Sequence, residues 1–358
     1  MHLTFVRFKT LRRKKEKDMD KKDIRIVFMG TPEFAVESLK ALVEGGYNVV
    51  AVVTQPDKPV GRHQDTLQAP AVKVYAESVG LPVLQPIKMK DADFLAQLKS
   101  YHADLQVVVA FRMLPQEVWD MPRFGTFNVH AALLPQYRGA APINWAVING
   151  ETETGVTTFF LDKDIDTGRI IQRKHFPIPD HANVEYVYDG LMKLGAVLAT
   201  ETIDFLAQNL LFDMSKEELT TAIESFTEIQ NDSCELHDAP KIFKETCKIN
   251  WQQPSKDIYN FVRGLSPYPG AWSNMVAINN ETKEKGKMVM KVFETAKTDM
   301  PSKGESGTFI VEGKSLYINT ADRLLEIKEL QLSGKKRIDS RSFLNGFQQI
   351  ESYKLLSE

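Results

Sequence analysis

The first strong pattern in the sequence is a helical segment between two strand-like runs. The runs "IRIVFMG" (24–30) and "YNVVAVVT" (47–54) are rich in β-branched residues, and "TPEFAVESLKALVEGG" (31–46) between them carries apolar residues at helical spacing. Strand, helix and strand in this order form a βαβ unit with parallel strands. Because both runs are apolar almost throughout, the strands must be buried on both faces by helices.

The same alternation continues for about 200 residues. A helical segment, "DADFLAQLKSY" (91–101), precedes further strand-like runs: "LQVVVAF" (105–111), "TFNVH" (126–130), "GVTTFFLD" (155–162) and "GRIIQRKHF" (168–176). This order predicts an α/β domain over residues 23–212, with a Rossmann-like, doubly wound and mostly parallel sheet.

The pattern changes beyond Asn209. In "SKEELTTAIESF" (215–226), Ser215 and Glu218 have the spacing of a capping box, and a polar stretch follows. Residues 213–238 are therefore predicted to link two domains. Residues 239–358 then contain period-two runs split by glycine and charged turns, which predicts a small OB-like antiparallel β-barrel. These runs are "KMVMKVFETA", "GTFIVEG", "SLYINT" and "RLLEIKELQL".

Length and composition favour a soluble two-domain protein of the cytoplasm. A chain of 358 residues exceeds the roughly 250–300 residues at which a single core stops growing. No apolar run approaches the roughly 18 residues of a membrane span, so we expect no membrane contact. Cys234 and Cys247 are the only cysteines, too few for a disulfide framework or a cysteine-based zinc site.

The net charge of −2 is unevenly distributed. Residues 1–22 carry +6, residues 23–235 carry −12 and residues 236–358 carry +4. We interpret residues 1–22 as a basic N-terminal extension. It is either disordered, or its residues 1–18 result from a start codon upstream of Met19. The basic C-terminal part suits contact with a polyanion, although solvated faces explain it equally well.

The first strand-to-helix turn, "MGTPEFA" (29–35), argues against a nucleotide cofactor. It supplies only Gly30 of the G-x-G-x-x-G pattern and has no P-loop lysine, so a nicotinamide-dependent dehydrogenase is disfavoured. A tight turn, with Thr31 as the helix cap and Pro32 at the first helical position, accounts for the segment.

The stretch "FNVHAALLPQYRGAAPINW" (127–145) contains the strongest candidates for chemistry. Asn128 and His130 are two apart on a predicted strand and therefore project from the same face. An amide donor beside an imidazole suits an oxyanion that forms on a carbonyl, and the imidazole can also carry a proton. Acyl transfer is the reaction that this pair favours. Arg138 suits either an anionic substrate group or a structural pair with a loop acid.

A carboxylate partner for the imidazole is offered by "LDKDIDTGRII" (161–171). Of its three acids, Asp162, Asp164 and Asp166, the last is best placed to hydrogen-bond to His130 and pass a proton. Three acids in a turn also suit a solvated loop; a calcium loop is disfavoured because the glycine and the downstream glutamate of an EF-hand are absent. Since no serine or cysteine lies in a nucleophile elbow, direct transfer to a bound amine is preferred over an acyl-enzyme.

Together these motifs resemble the folate-dependent formyltransferases. "NVHAALLPQYRGAAPI" followed by "DKDIDTG" carries the resemblance, and "VFMGTPEFA", "VTQPDKPVGR" and "VRGLSPYPGAW" are similar to the members that formylate methionyl initiator tRNA. The resemblance extends from about Ile24 to the C-terminus. It implies a Rossmann-like domain followed by a barrel of OB type.

The resemblance also implies the residues of the site. The catalytic residues would be Asn128, His130 and Asp166, and the co-substrate would be 10-formyltetrahydrofolate, with no metal. The implied folate-binding residues are Phe111, Arg112, Met113, Leu114, Ala132, Leu133, Leu134 and Pro135. The chain departs from the family where Phe111-Arg112 replaces Tyr-Gly and where Ala132 replaces serine.

Methionyl initiator tRNA is the implied partner of a monomeric enzyme. The insertion "TQPDKPVGRHQDTLQAP" (54–70) resembles the loop that the family uses against the acceptor stem, with Arg62 as its main cation. His63-Gln64-Asp65 stand where relatives are often basic. We therefore expect tRNA binding to depend more on the barrel and on its basic cluster, Lys335, Lys336 and Arg337. Two rivals remain: a formyltransferase for glycinamide ribonucleotide or an amino sugar nucleotide, and an RNA-binding module with a lost active site.

Overall fold

The computed structural model describes residues 19–60, 66–233, 235–278 and 288–357. The helices are α1 (Glu33–Glu44), α2 (Ala71–Ser78), α3 (Ala92–Ser100), α4 (Gln116–Trp119), α5 (Pro142–Ile148), α6 (Val184–Asn209), α7 (Lys216–Phe226), α8 (Ser255–Leu265) and α9 (Ser340–Gly346), with 3₁₀ turns at Glu245–Cys247 and Ile350–Ser352. Within these described ranges, no helix is both long and apolar enough to cross a membrane.

The strands include those expected from the sequence and several others. They are β1 (Ile26–Gly30), β2 (Val49–Val53), β3 (Lys58–Val60), β4 (Thr66–Gln68), β5 (Val83–Leu84), β6 (Leu105–Val109), β7 (Thr126–His130), β8 (Arg138–Gly139), β9 (Glu153–Phe160), β10 (Ile170–Pro177), β11 (Asp238–Ala239), β12 (Ala271–Ala277), β13 (Met288–Pro301), β14 (Phe309–Glu312), β15 (Ser315–Asn319), β16 (Arg323–Leu332), β17 (Ile338–Asp339) and β18 (Tyr353–Leu356).

The chain divides into two compact units. The first contains residues up to Thr126 together with Ala199–Glu228, and the second contains Phe127–Leu198 and the residues from Ile229 onward. The second unit therefore holds Asn128, His130 and Asp166 as well as the C-terminal strands. The domain boundaries predicted from the sequence, at 212/213 and 238/239, remain predictions.

The first unit contains a parallel sheet in the order β6-β1-β2-β5. Every residue of β1 is buried, as expected for a strand with neighbours on both edges and helices over its faces. Gly30 ends this strand, and a Cβ there would lie 2.6 Å from the Ala35 Cβ, so only glycine lets α1 begin so close to the strand. The expected Rossmann-like arrangement is confirmed.

The start of α1 differs from the expectation by one residue. The helix begins at Glu33, and Pro32 takes the extended N-cap position with φ −81° and ψ 176° and without a side-chain cap. The prediction of a Thr31 cap was wrong. A proline disfavours helical geometry in the residue before it, here Thr31, but Pro32 is itself extended as well and therefore takes the N-cap position. The capping box of α7 is confirmed, with Glu218 N donating to Ser215 Oγ (3.2 Å) and Ser215 N donating to Glu218 Oε2 (2.8 Å).

In the second unit, β7, β9 and β10 form antiparallel pairs in the order β10-β9-β7. Asn128 pairs with Phe159 and His130 pairs with Thr157. The turn that connects β9 to β10, residues 161–169, carries the three acids predicted there. This pairing places the end of β7 beside the strand that leads into the acidic turn.

The C-terminal strands form the predicted antiparallel sheet, in the order β14-β15-β16-β13-β12-β18. Trp251, Ile258, Met290 and Ile327 belong to its buried core. A bridge between Thr308 and Lys354 and a hydrogen bond from Leu355 N to Gly307 O (2.8 Å) bring the ends of the strand order together. The sheet therefore curls around its core as a small OB-like barrel does.

Candidate active site

Asn128 and His130 lie at the C-terminal end of β7. Strand geometry directs both side chains to one face, while Val129 between them is buried on the other. His130 is 6 % exposed and Asn128 is half-buried. The Phe159 ring is nearly perpendicular to the imidazole, with ring centroids 6.4 Å apart and an interplanar angle of 84°. The imidazole therefore has an apolar wall on one side.

The orientation of the His130 ring is set by a main-chain carbonyl. Nε2 lies 2.8 Å from Tyr137 O. Because a carbonyl oxygen only accepts, Nε2 must carry the hydrogen. In the neutral ring the lone pair is then on Nδ1.

Asp166 faces the Nδ1 side of this ring. Its Oδ2 is 3.8 Å from His130 Nδ1, and the side chain is 14 % exposed. The same oxygen accepts a hydrogen bond from Gly139 N (2.9 Å), and the Asp166 backbone is left-handed with φ +56°. The expected direct hydrogen bond to His130 is not formed, since 3.8 Å is too long for one. The carboxylate oxygen is bonded to the Gly139 amide instead.

The other two acids of the turn have different surroundings. Asp162 accepts from Asp164 N (3.2 Å) and from Thr167 Oγ1 (2.8 Å), which closes the turn on itself. Both acids are exposed. The structure thus separates a half-buried carboxylate beside the imidazole from two acids that suit the solvated-loop alternative.

Tyr137 is a residue of the site that sequence reasoning missed. Its backbone is left-handed (φ +60°), its hydroxyl donates to Glu151 Oε1 (2.5 Å), and Asn149 Nδ2 donates to that hydroxyl (3.2 Å). Burial, followed by the bond to Glu151, raises the pKa of the Tyr137 hydroxyl above its ordinary value of 10.0. Because Tyr137 acts on His130 through a main-chain carbonyl, no side-chain pattern in the sequence indicates it.

Arg138 is held by the segment that follows α7. Its guanidinium donates to Gln230 Oε1 from Nε (3.0 Å) and Nη2 (2.7 Å), and Nη2 also lies 2.7 Å from Asp232 Oδ1. Of the two roles that the sequence left open, the structure shows the structural pair with a loop acid.

The predicted folate segment Ala132–Pro135 follows directly from β7. Thr157 Oγ1 donates to Ala132 O (2.7 Å) and accepts from Leu134 N (3.1 Å), which ties the segment to β9. Leu134 is buried in a cluster with Phe159 and Ile170. Leu133 and Pro135 are half-buried. A rigid main chain with small and apolar side chains suits a flat aromatic ligand.

The second predicted folate segment, residues 111–114, follows β6 in the first unit. The Arg112 guanidinium donates to Ile87 O (3.0 Å) and to Pro86 O, and burial lowers its pKa. Phe111 is half-buried, Met113 is 72 % exposed and Leu114 is buried. Arg112 therefore braces the main chain at residues 86 and 87.

The candidates for tRNA contact differ in their surroundings. Arg62 lies outside the described residues. Lys335 and Lys336 are exposed in the turn after β16. Arg337 is paired, with Nε 2.9 Å from Glu329 Oε2 and its guanidinium 4.4 Å from the centre of the Phe293 ring. Among the residues that the structure describes, no group of three or more His, Cys, Asp or Glu side chains is arranged to hold a metal ion.

Family comparisons agree with this site and fold. Residues 24–203 match the family described as "Formyl transferase", and residues 241–348 match "Formyl transferase, C-terminal domain". The fold and the site thus define a formyl transferase.

Individual relatives narrow the class. The chain is 56 % identical over 338 residues to a methionyl-tRNA formyltransferase of Parabacteroides distasonis, covering 94 % of this chain and 99 % of the relative. It is 52 % identical over 338 residues to the methionyl-tRNA formyltransferase of Bacteroides fragilis strain YCH46, with the same coverage. The chain belongs to the methionyl-tRNA formyltransferase family.

Solved structures support the fold at lower identity. WlaRD, a sugar 3N-formyl transferase, superposes with a TM-score of 0.56 at 18 % identity and covers 87 % of this chain and 99 % of its own. HypX from Aquifex aeolicus, solved in complex with tetrahydrofolic acid, gives a TM-score of 0.54 at 19 % identity and covers 91 % of this chain and 48 % of its own. At these identities the likeness concerns the fold alone.

Proposed function

We propose that this chain transfers the formyl group of 10-formyltetrahydrofolate to the amino group of methionyl initiator tRNA. The observation that carries the chemistry is the fixed orientation of His130, whose Nε2 is held by Tyr137 O while Nδ1 faces Asp166. The support for the acceptor is the identity of 52–56 % to methionyl-tRNA formyltransferases over nearly the whole chain.

The first step is attack of the methionyl amine on the formyl carbon. A carbon–nitrogen bond forms, and the carbonyl electron pair moves to its oxygen. His130 Nδ1 accepts the proton that the amine loses, since the hydrogen on Nε2 leaves Nδ1 as the basic atom of the neutral ring. Asp166, 3.8 Å from Nδ1, stabilises the resulting imidazolium by charge.

Asn128 stabilises the oxyanion in this proposal. Its side chain projects from the same face of β7 as the imidazole, because the two residues are two apart on the strand. A donor placed in advance toward a developing negative charge contributes about 10²–10³ in rate. The tetrahedral intermediate therefore forms between an N–H donor and a base.

Collapse of the intermediate completes the transfer. The carbon–oxygen double bond re-forms, the bond from carbon to N10 of the folate breaks, and N10 takes the proton from the His130 imidazolium. The products are formylmethionyl-tRNA and tetrahydrofolate, and His130 returns to its neutral form. Every bond that forms or breaks is accounted for by these groups, so we propose a mechanism without a metal.

The remaining assignments are part of the proposal. Residues 23–212 carry the chemistry, with Phe111–Leu114 and Ala132–Pro135 against the folate. Residues 213–238 connect to residues 239–358, which bind the tRNA through Lys335, Lys336 and Arg337, together with Arg62 of the catalytic domain. We propose that the enzyme acts as a monomer in the cytoplasm.

The test is transfer of labelled formyl from 10-formyltetrahydrofolate to methionyl initiator tRNA. The wild type is expected to form formylmethionyl-tRNA, and His130→Ala is expected to lose turnover while its circular dichroism and tRNA affinity stay unchanged. His175→Ala is the matched control, because His175 lies on β10 with its side chain exposed and paired with Glu153. Substantial turnover by His130→Ala contradicts the proposed role of the imidazole.

A further inference from the structure

Gln230 lies in the segment between α7 and β11, where the sequence predicted only a linker. Its side chain is buried, at 8 % exposure. Nε2 donates to Asp166 O (2.8 Å) and to Gly168 O (2.8 Å), and Oε1 accepts from the Arg138 Nε (3.0 Å) and Nη2 (2.7 Å). The amide thus uses both of its N–H groups and both lone pairs of its oxygen.

These bonds close a ring around the acidic turn. Gln230 connects the main chain of Asp166 to the side chain of Arg138, and the next residue, Gly139, donates its N–H back to Asp166 Oδ2 (2.9 Å). The ring therefore fixes both ends of Asp166, its carbonyl by Gln230 and its carboxylate by Gly139. The same carboxylate stands 3.8 Å from His130 Nδ1.

The turn needs such support because of its backbone conformation. Asp166 is left-handed (φ +56°), a conformation that residues other than glycine rarely adopt. The two carbonyls that Gln230 caps lie on either side of Thr167, so one amide holds both ends of the tightest part of the turn. Loss of these two donors would free the turn to relax and to carry the carboxylate away from the imidazole.

We infer that Gln230 is a positioning residue for formyl transfer, which acts by holding the Asp166 carboxylate at its distance from His130. The inference rests on the proposed function and extends it, because it assigns the segment between the two domains a part in the chemistry of the first. Gln230 need not touch the substrate.

The test begins with Gln230→Glu, which keeps the size of the side chain and an oxygen for Arg138 but removes both N–H donors. A displacement of about 1 Å at a reacting group costs on the order of 10²-fold in rate. We expect kcat to fall by about 10- to 100-fold, with the KM values for folate and methionyl-tRNA within about threefold of wild type. Gln230→Met, which lacks the donors without adding charge, is expected to behave alike.

A double-mutant cycle separates positioning from a general loss of structure. If Gln230 acts through Asp166, then in the Asp166→Ala background Gln230→Glu is expected to change the residual rate by less than about twofold. A purely structural role predicts the same fractional fall in both backgrounds. All variants are assayed well below their melting temperatures, and their folded state is checked by circular dichroism.

The matched control is Gln136→Glu. Gln136 Nε2 donates to Glu235 O (2.9 Å), and its Oε1 accepts from His237 N (2.9 Å), so the same substitution disturbs another anchor of the same segment. We expect its kcat to stay within about threefold of wild type. A fall equal to that of Gln230→Glu would show that anchoring of the segment, rather than the bonds to Asp166 and Gly168, sets the rate, and would overturn the inference.

The remaining outcomes separate this inference from the proposed function. An inactive Asp166→Ala together with a fully active Gln230→Glu overturns the role of Gln230 alone. A wild type that forms no formylmethionyl-tRNA overturns the proposed function together with the inference. An Asp166→Ala with the wild-type kcat leaves formyl transfer in place but overturns the role of Asp166 and the inference that depends on it.

Discussion

At the scale of single residues, main-chain groups orient the side chains that we propose as catalytic. Tyr137 O selects the His130 nitrogen that carries the hydrogen, and Gly139 N directs the Asp166 carboxylate. Both are backbone groups at residues with positive φ, +60° and +124°. The conformation of the "YRG" segment thus prepares the site before any substrate binds.

Asn128 should be needed for rate rather than for binding. Because its amide is assigned to the oxyanion, Asn128→Ala is expected to lower kcat by about 10²–10³-fold and to leave both KM values nearly unchanged. Steady-state kinetics with labelled formyl measures this, and Asn209→Ala, at an exposed asparagine bonded to Phe205 O, serves as the control. A loss of less than tenfold in kcat would place the oxyanion elsewhere.

The stability that Tyr137 contributes should be lost in alkali. Its folded-state pKa is raised, so above pH 10 the unfolded chain releases the proton first, and the stability that this group contributes is lost as the pH rises toward its folded pKa. Tyr137→Phe is expected to lower the free energy of unfolding by about 2 kcal/mol at pH 8, as for a hydrogen bond to a charged group. Urea unfolding at several pH values measures this. Above pH 10 the free energy of unfolding of Tyr137→Phe should fall less steeply with pH than that of wild type. Equal slopes of the free energy of unfolding against pH would contradict the proposed contribution of Tyr137.

At the scale of elements, the β9–β10 connection is the part of the site under the tightest steric limit. A Cβ on Gly168 would lie 1.7 Å from Phe160 O, within the hairpin formed by β9 and β10. No side chain fits there without separating the strands. The turn that carries Asp166 therefore depends on a glycine two residues further on.

Gly168→Ala is expected to destabilise the protein by about 1–3 kcal/mol, as overpacked positions do, and to lower formyl transfer more than the loss of folded protein explains. Thermal unfolding and kcat per folded molecule measure the two effects. Gly346→Ala is the control, since a Cβ at that position meets nothing within 4 Å. Wild-type kcat in Gly168→Ala would show that the turn tolerates the shift.

Elements with a strong local pattern could be predicted from the sequence, whereas contacts between distant segments could not. The run "RLLEIKELQL" coincides with β16, and the capping box of α7 forms as expected, because periodicity and capping are local properties. The start of α1 was misplaced by one residue. The bonds from Gln230 to Asp166 and Gly168 span more than 60 residues, and nothing in the local sequence specifies them. Asn128 and His130 could be predicted because they are polar residues among apolar neighbours, and Asp166 because it lies in an acidic turn between two predicted strands.

At the scale of the whole molecule, the charge distribution fits a polyanionic substrate that meets the C-terminal part of the chain. Residues 23–235 carry −12 and residues 236–358 carry +4. In the proposed function, the acidic part repels tRNA at a distance and the basic C-terminal part contributes attraction. Lys335 and Lys336 are exposed and suited to this, whereas Arg337 would have to exchange its bond to Glu329 for one to a phosphate.

Removing the two exposed lysines should therefore weaken tRNA binding in a salt-dependent manner. Lys335→Ala with Lys336→Ala is expected to raise the Kd for tRNA and to reduce the slope of log Kd against log salt by about 1–2, the value for one or two lost phosphate contacts. Fluorescence binding between about 50 and 200 mM salt covers the range in which such contacts are measurable. Lys90→Ala in the first unit is the control, and an unchanged slope in the double variant would move tRNA recognition away from this turn.

The most direct test of the central claim is a competition between acceptors. Labelled 10-formyltetrahydrofolate is offered with methionyl initiator tRNA, glycinamide ribonucleotide and an amino sugar nucleotide in one reaction. We predict label on the tRNA alone, as formylmethionine. Label on a small acceptor would keep the mechanism and contradict the assigned substrate, and label on none of them would contradict formyl transfer by this chain.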